Sequence, residues 1–89
     1  EIELDPDRHE VQVEGEICVL TYKEFRLLEY LMENRGRVLT RESIMTAVWG
    51  EDFLGESRTV DMHIKTLRKK LGKAGERIIT VRNIGYKID

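Results

Sequence analysis

The stretch SRTVDMHIKTLRKKLG, residues 57–72, constrains this chain more than any other, because its two kinds of side chain cannot share one environment. Val60, Ile64, Leu67 and Leu71 recur at spacings of four, three and four. At about 100° per residue that spacing gathers them into a narrow apolar stripe along one side of a helix. Met62, Lys65, Thr66 and Lys69 fall on the opposite side, and Arg58 and Lys73 extend their surface past both ends. The stripe needs a core; the other face is cationic and carries one hydroxyl and one thioether. Such a helix suits the major groove of DNA, where phosphates attract the charges and base edges meet short side chains. A solvated lysine-rich face has the same pattern, so the rest of the chain must decide between the two.

Eighty-nine residues make one small domain with a single core. No apolar run approaches the roughly twenty residues that span a bilayer, and no signal-peptide pattern is present, so no membrane partner is expected. Cys18 is the only cysteine, which excludes an internal disulfide and points to a reducing, cytoplasmic location. With His9 and His63 it forms no zinc-binding spacing, so neither metal nor cofactor is expected. Two histidines, Ser43, Ser57 and one thiol are joined by no catalytic motif, and the chain is not read as an enzyme. It begins with Glu1 rather than Met and is expected to be a piece of a longer protein.

A net charge of −2 fits a polyanion binder poorly until it is divided along the chain. Residues 1–57 carry 6 Lys and Arg against 14 Asp and Glu; residues 58–89 carry 9 against 3. One pole therefore attracts an anion while the other repels it, which orients a polyanion onto the C-terminal third.

The elements on either side follow in order. Ile2 and Leu4 alternate with acids, Val11 and Val13 do the same, and Gly15 allows a tight turn into the run from Ile17 to Leu20. This alternation predicts a small antiparallel sheet of three or four strands with an acidic outer face. Cys18, inside the apolar run, reads as a small core residue. Thr21 and Glu24 have capping-box spacing, and a helix follows with Phe25, Leu27, Leu28, Leu31 and Met32 as its apolar face, stopped by Asn34-Arg35-Gly36 with Gly36 suited to a left-handed cap. A second, short helix runs from an N-cap at Thr40 to Trp49 and ends at Gly50. Trp49 either packs in the core or keeps its indole N–H at the surface.

The segment Glu51-Asp52-Phe53-Leu54-Gly55-Glu56 mixes apolar and acidic residues, as contact loops do, unless Phe53 or Leu54 folds back on the core. After the basic helix, residues 73–76 read as an exit loop. Residues 77–81 and 86–88 are β-rich and flank Asn83 and Gly85, which predicts a hairpin. Its tip is cationic: either Arg82 reaches a minor groove while Thr80 and Tyr86 offer hydroxyls to phosphate, or the charge only keeps an edge hairpin soluble.

Three stretches, residues 20–50, 57–72 and 79–88, together resemble the OmpR/PhoB-type effector domains of bacterial two-component response regulators. The matching residues are LTYKEFRLLEYLMENRGRVLTRESIMTAVWG, SRTVDMHIKTLRKKLG and ITVRNIGYKI, in the family's order and over most of the chain. The resemblance implies an α+β winged helix-turn-helix: an N-terminal antiparallel β-sheet, three helices and a C-terminal β-hairpin wing. It implies a transcriptional regulator that binds double-stranded DNA sequence-specifically, with residues 57–72 in the major groove and the wing, residues 79–88, at the minor groove.

Carried over by position, the resemblance makes Met62 and Thr66 base-facing, with Thr59 near the groove edge. Arg58, His63, Lys65, Arg68, Trp49, Thr80 and Tyr86 fall where the family contacts phosphate, Arg41 is a further phosphate candidate, and Arg82 matches the wing arginine. Lys69, on the same face, adds attraction. Thr66 stands where several relatives have arginine, which implies a different base preference. Asn83 replaces the usual wing glycine, and asparagine tolerates the left-handed backbone. Residues 51–56 correspond to the segment that touches RNA polymerase in relatives. A phosphorylatable receiver domain, coupled to a sensor histidine kinase, would precede residue 1, and binding to direct repeats as a head-to-tail pair of otherwise monomeric domains is implied. The rival reading is an interaction module whose basic helix binds an acidic protein surface.

Overall fold

The computed structural model describes residues 1–50 and 58–89. Alternation in the opening residues gives three strands, β1 (Ile2–Asp5), β2 (Glu10–Val13) and β3 (Glu16–Cys18), paired antiparallel in the order β1-β2-β3. Glu14 at φ 52° and Gly15 at φ 83° supply the left-handed backbone that a two-residue hairpin turn requires. Ile2 and Val11 are buried, whereas the acids mostly face outward. Cys18 is half-buried, and its thiol donates to the Lys70 carbonyl at 3.3 Å.

The first helix, α1 (Tyr22–Glu33), has both halves of the expected capping box. Glu24 N–H donates to Thr21 Oγ1 at 3.2 Å, and Thr21 N–H donates to Glu24 Oε1 at 2.9 Å. Within the expected stop Asn34 is the C-cap, its backbone and side-chain N–H groups bonding to the carbonyls of Leu31 and Tyr30. Gly36, at φ 83°, turns the chain that follows.

That turn leads into a two-residue strand, β4 (Leu39–Thr40), which the sequence reading did not foresee. Thr40 also caps α2 (Arg41–Trp49), accepting from the Ser43 N–H at 3.0 Å. After the segment outside the described residues comes α3 (Arg58–Leu71), at 1.5 Å per residue about 21 Å long. Residues 72–77, read in part as a loop, form a 3₁₀ helix (Gly72–Arg77). Gly75 packs there so closely that a Cβ would lie 2.4 Å from the Arg68 carbonyl oxygen. The hairpin is β5 (Ile78–Val81) and β6 (Gly85–Ile88), with Asn83 at φ 66° in its turn as expected. β4 joins it through Leu39 opposite Tyr86 and Thr40 opposite Gly85, giving the order β4-β6-β5.

The α3 stripe closes the core. Val60, Ile64 and Leu67 are fully buried beside Phe25, Leu28 and Leu31 of α1, Ile44 of α2 and Ile88 of β6. Each large aliphatic side chain so buried contributes about 1.5–3 kcal/mol. α1 and α3 are also joined by charge: Lys70 Nζ lies 2.7 Å from Glu24 Oε1, and Glu24 is only 5% exposed. Burial works to raise the Glu24 carboxyl, but hydrogen bonds from Lys70 and the Thr21 N–H outweigh it and hold the group below the usual range.

A depressed folded-state pKa stabilises above the unfolded value of about 4.3, and that stability fades as pH falls through the folded value. Melting temperature is therefore expected to drop below about pH 4.5, and Glu24→Gln to flatten that drop while lowering stability at neutral pH. Thermal melts of both proteins from pH 7 to pH 3 check this; parallel curves would remove Glu24 from the acid response.

Candidate nucleic-acid interface

With the apolar stripe of α3 inside, the face opposite is forced outward. Met62 is 62% exposed, and Arg58, Lys65, Thr66 and Lys69 are exposed with it. Among the described residues, Arg58, Lys65 and Lys69 have no carboxylate partner, so their charges are available to an anion. Thr66 uses its hydroxyl on the His63 carbonyl at 3.1 Å and also helps to hold the Glu24 carboxyl low. Thr59 is half-buried, and its carbonyl bonds His63 Nδ1 at 3.0 Å. The Trp49 and His63 rings meet edge to face at 4.8 Å, which fixes the imidazole beside the end of α2. Lys23 Nζ lies 5.9 Å from the Trp49 ring centroid, so a cation absent from the expected set borders the same corner.

The wing lies on the other flank. Arg82 and Asn83 at its tip are exposed, and Ile84 is 51% exposed. Thr80 is exposed, but its hydroxyl accepts from Arg68 Nη2 at 2.8 Å. Arg68 also donates to the Ile78 carbonyl, from Nη2 at 2.8 Å and from Nε at 3.2 Å. Arg68, read as a phosphate contact, is thus first a clamp between α3 and β5.

Tyr86 departs further from expectation. It is buried, 5% exposed, and its hydroxyl donates to Asp61 Oδ1 at 2.5 Å rather than pointing to solvent. Arg41 Nε donates to the same carboxylate oxygen at 2.7 Å. Partial burial works to raise the Asp61 carboxyl; the Tyr86 hydroxyl and Arg41 guanidinium outweigh it and hold it low. Burial, and then the carboxylate, push the Tyr86 phenol up. Sequence reading passed over Asp61 and Lys70. The available signal was electrostatic: a lone acid on a cationic helix opposes binding of an anion, so its presence calls for an internal partner.

The expected contact loop, Glu51, Asp52, Phe53, Leu54, Gly55 and Glu56, lies outside the described residues, as does Ser57. Among the described residues no helix is long and apolar enough to cross a membrane, and no cluster of His, Cys, Asp and Glu could hold a metal ion.

Three helices, with the third facing outward beside a β-hairpin, form a winged helix-turn-helix. Residues 15–88 match the family described as "Transcriptional regulatory protein, C terminal". The chain belongs to this OmpR/PhoB-type family. Among its relatives, the sensory transduction protein RegX3 of Mycolicibacterium smegmatis is 46% identical over 99% of this chain and 40% of its own length. The chain thus spans about 40% of the length of curated relatives that it matches. Among solved family members, the DNA-binding domain of Bacillus subtilis CssR superposes with a TM-score of 0.90 at 35% identity, covering all of both chains. The Klebsiella pneumoniae RstA DNA-binding domain in complex with RstA box has a TM-score of 0.86 at 36% identity, covering 98% of this chain and 89% of that one. The winged-helix fold implied by the family resemblance is therefore the fold observed.

Proposed function

We propose that this domain binds double-stranded DNA sequence-specifically as the output module of a two-component response regulator. The observation that carries the reading is the exposed cationic face of α3, raised on a buried stripe and flanked by a wing with an exposed arginine at its tip. The RstA complex supports it through a relative of the same fold. α3 enters the major groove; Met62 and Thr66 meet base edges, with Thr59 at the groove margin. Arg58, Lys65 and Lys69 supply attraction and register, His63 and Trp49 approach phosphate together, and Arg82 enters the minor groove. Arg41, Arg68, Thr80 and Tyr86 act from behind this surface, since each is already bonded within the domain.

The domain works in the cytoplasm, residues 51–56 touch RNA polymerase, and copies assemble head to tail on direct repeats. A receiver domain, addressed by a sensor kinase, controls that assembly. These expectations rest on family resemblance.

The test is fluorescence anisotropy of a random-sequence duplex pool at three salt concentrations, followed by sequencing of the retained DNA. Expected are micromolar or tighter binding, a salt slope of roughly −4 to −6 and an enriched half-site. No salt-dependent binding at low ionic strength would remove the DNA reading and leave the fold standing. In the same assay Lys65→Ala is expected to weaken binding about tenfold and reduce the slope by about one, with base preference unchanged. An unaltered slope would displace Lys65 from the phosphates.

A further inference from the structure

Asp61 is the only acid in α3, and it borders the face that the proposed function turns toward a polyanion. Its carboxylate gathers side chains from two other elements. Arg41 reaches it from the first residue of α2, and Tyr86 reaches it from β6. Both guanidiniums of the neighbourhood cover the tyrosine ring, with Arg41 Cζ 5.6 Å and Arg68 Cζ 5.7 Å from its centroid. Arg68 then ties α3 to β5 at Ile78 and Thr80. Tyr86 itself is paired with Leu39 of β4. One carboxylate therefore fixes the relation of α3 to α2 and to the wing through short bonds between charged or polar partners, which are the strong and directional kind.

We propose that Asp61 is a positioning residue for specificity: it holds the wing at one offset from α3, so that major-groove and minor-groove contacts can be made together only at one spacing along the duplex. This rests on the DNA-binding reading. Arg41 and Arg68 serve the same geometry, and any phosphate they meet is met from a fixed position.

The proposal has a sign that a simple charge effect does not share. Asp61→Asn removes a negative charge beside the DNA-facing surface, so electrostatics alone would tighten binding to every sequence alike. Loss of positioning instead lowers the ratio of specific to non-specific affinity. The probes are a duplex selected from a random pool by the unaltered domain and a scrambled duplex of equal length. Asp61→Asn is expected to bind the scrambled duplex as well as or better than the unaltered domain does, and the selected duplex less well. The specificity ratio should fall by about tenfold. Hydroxyl-radical protection where the wing lies in the minor groove should fade, while protection of guanine N7 under α3 persists.

Tyr86→Phe keeps the ring and its packing, changes no charge and removes one hydrogen bond to Asp61. It should move the ratio and the footprint in the same direction, and it carries the test if Asp61→Asn fails to fold. Equal gains on both duplexes with an unchanged footprint would overturn the proposal, as would a Tyr86→Phe protein with an unchanged ratio. Failure of the unaltered domain to bind either duplex is a different result, which removes the DNA reading and this inference with it.

Discussion

Gly85→Ala is expected to lower the melting temperature by roughly 10–25 °C, from a loss of about 2–4 kcal/mol. A Cβ at residue 85 would lie 1.9 Å from the Leu39 carbonyl oxygen and 2.9 Å from Leu39 C and Thr40 Cα. These are backbone atoms of a paired strand and cannot rotate aside, so β4 and β6 would have to separate. A domain of this size holds only about 5–13 kcal/mol in total, and the loss is a large part of it. Gly15→Ala provides the comparison. Gly15 is left-handed at φ 83° but has open space around it, so its substitution should cost about 1–2 kcal/mol through the backbone alone. Thermal unfolding of both variants decides the matter; equal, small shifts would mean that the strands do not approach at Gly85.

Reversing two charges, Lys65→Glu with Lys69→Glu, is expected to reduce affinity for DNA by roughly 10²–10³-fold near 0.1 M salt. Two lost phosphate contacts account for about 60-fold at that concentration and reduce the magnitude of the salt slope by about two. Repulsion between the new carboxylates and phosphate, worth up to about 1 kcal/mol each in high dielectric, supplies the rest. Both lysines are exposed and have no carboxylate partner among the described residues, so the melting temperature should move little. Anisotropy over a salt series measures the effect. Undiminished binding would show that α3 does not face the phosphates.

The sequence disclosed those features whose cause is local. The capping box of Thr21 and Glu24 needs only residues three apart, and the buried stripe of α3 follows from helical periodicity. Asn83 in the left-handed region follows from its own backbone preference. What stayed hidden depends on partners distant in the chain. β4 is two residues long, too short for any alternation, and exists because β6 pairs with it. Lys70 was not singled out in the sequence, and it turns to Glu24 of another helix. Tyr86 and Arg68 were placed in the candidate site by family position, whereas Asp61 and the Ile78 carbonyl engage them within the domain. The 3₁₀ helix after α3 was equally hidden, since Lys73-Ala74-Gly75-Glu76 carries no pattern beyond its glycine.

The pairing of β4 with β6 also governs the order in which the domain is assembled. Leu39 and Tyr86 meet across nearly the whole helix-turn-helix segment, so this contact closes a long loop. Loop closure carries an entropy cost that local helices do not bear, and contacts distant in sequence form late for that reason. α2 and α3 are expected to pack before the two-residue strand finds its partner. The wing therefore reaches its final seat only in a domain whose α3 is in place, and a half-folded chain presents a cationic helix without the second arm of the grip. With that order, incompletely folded chains are expected to show only loose, salt-sensitive attraction to DNA.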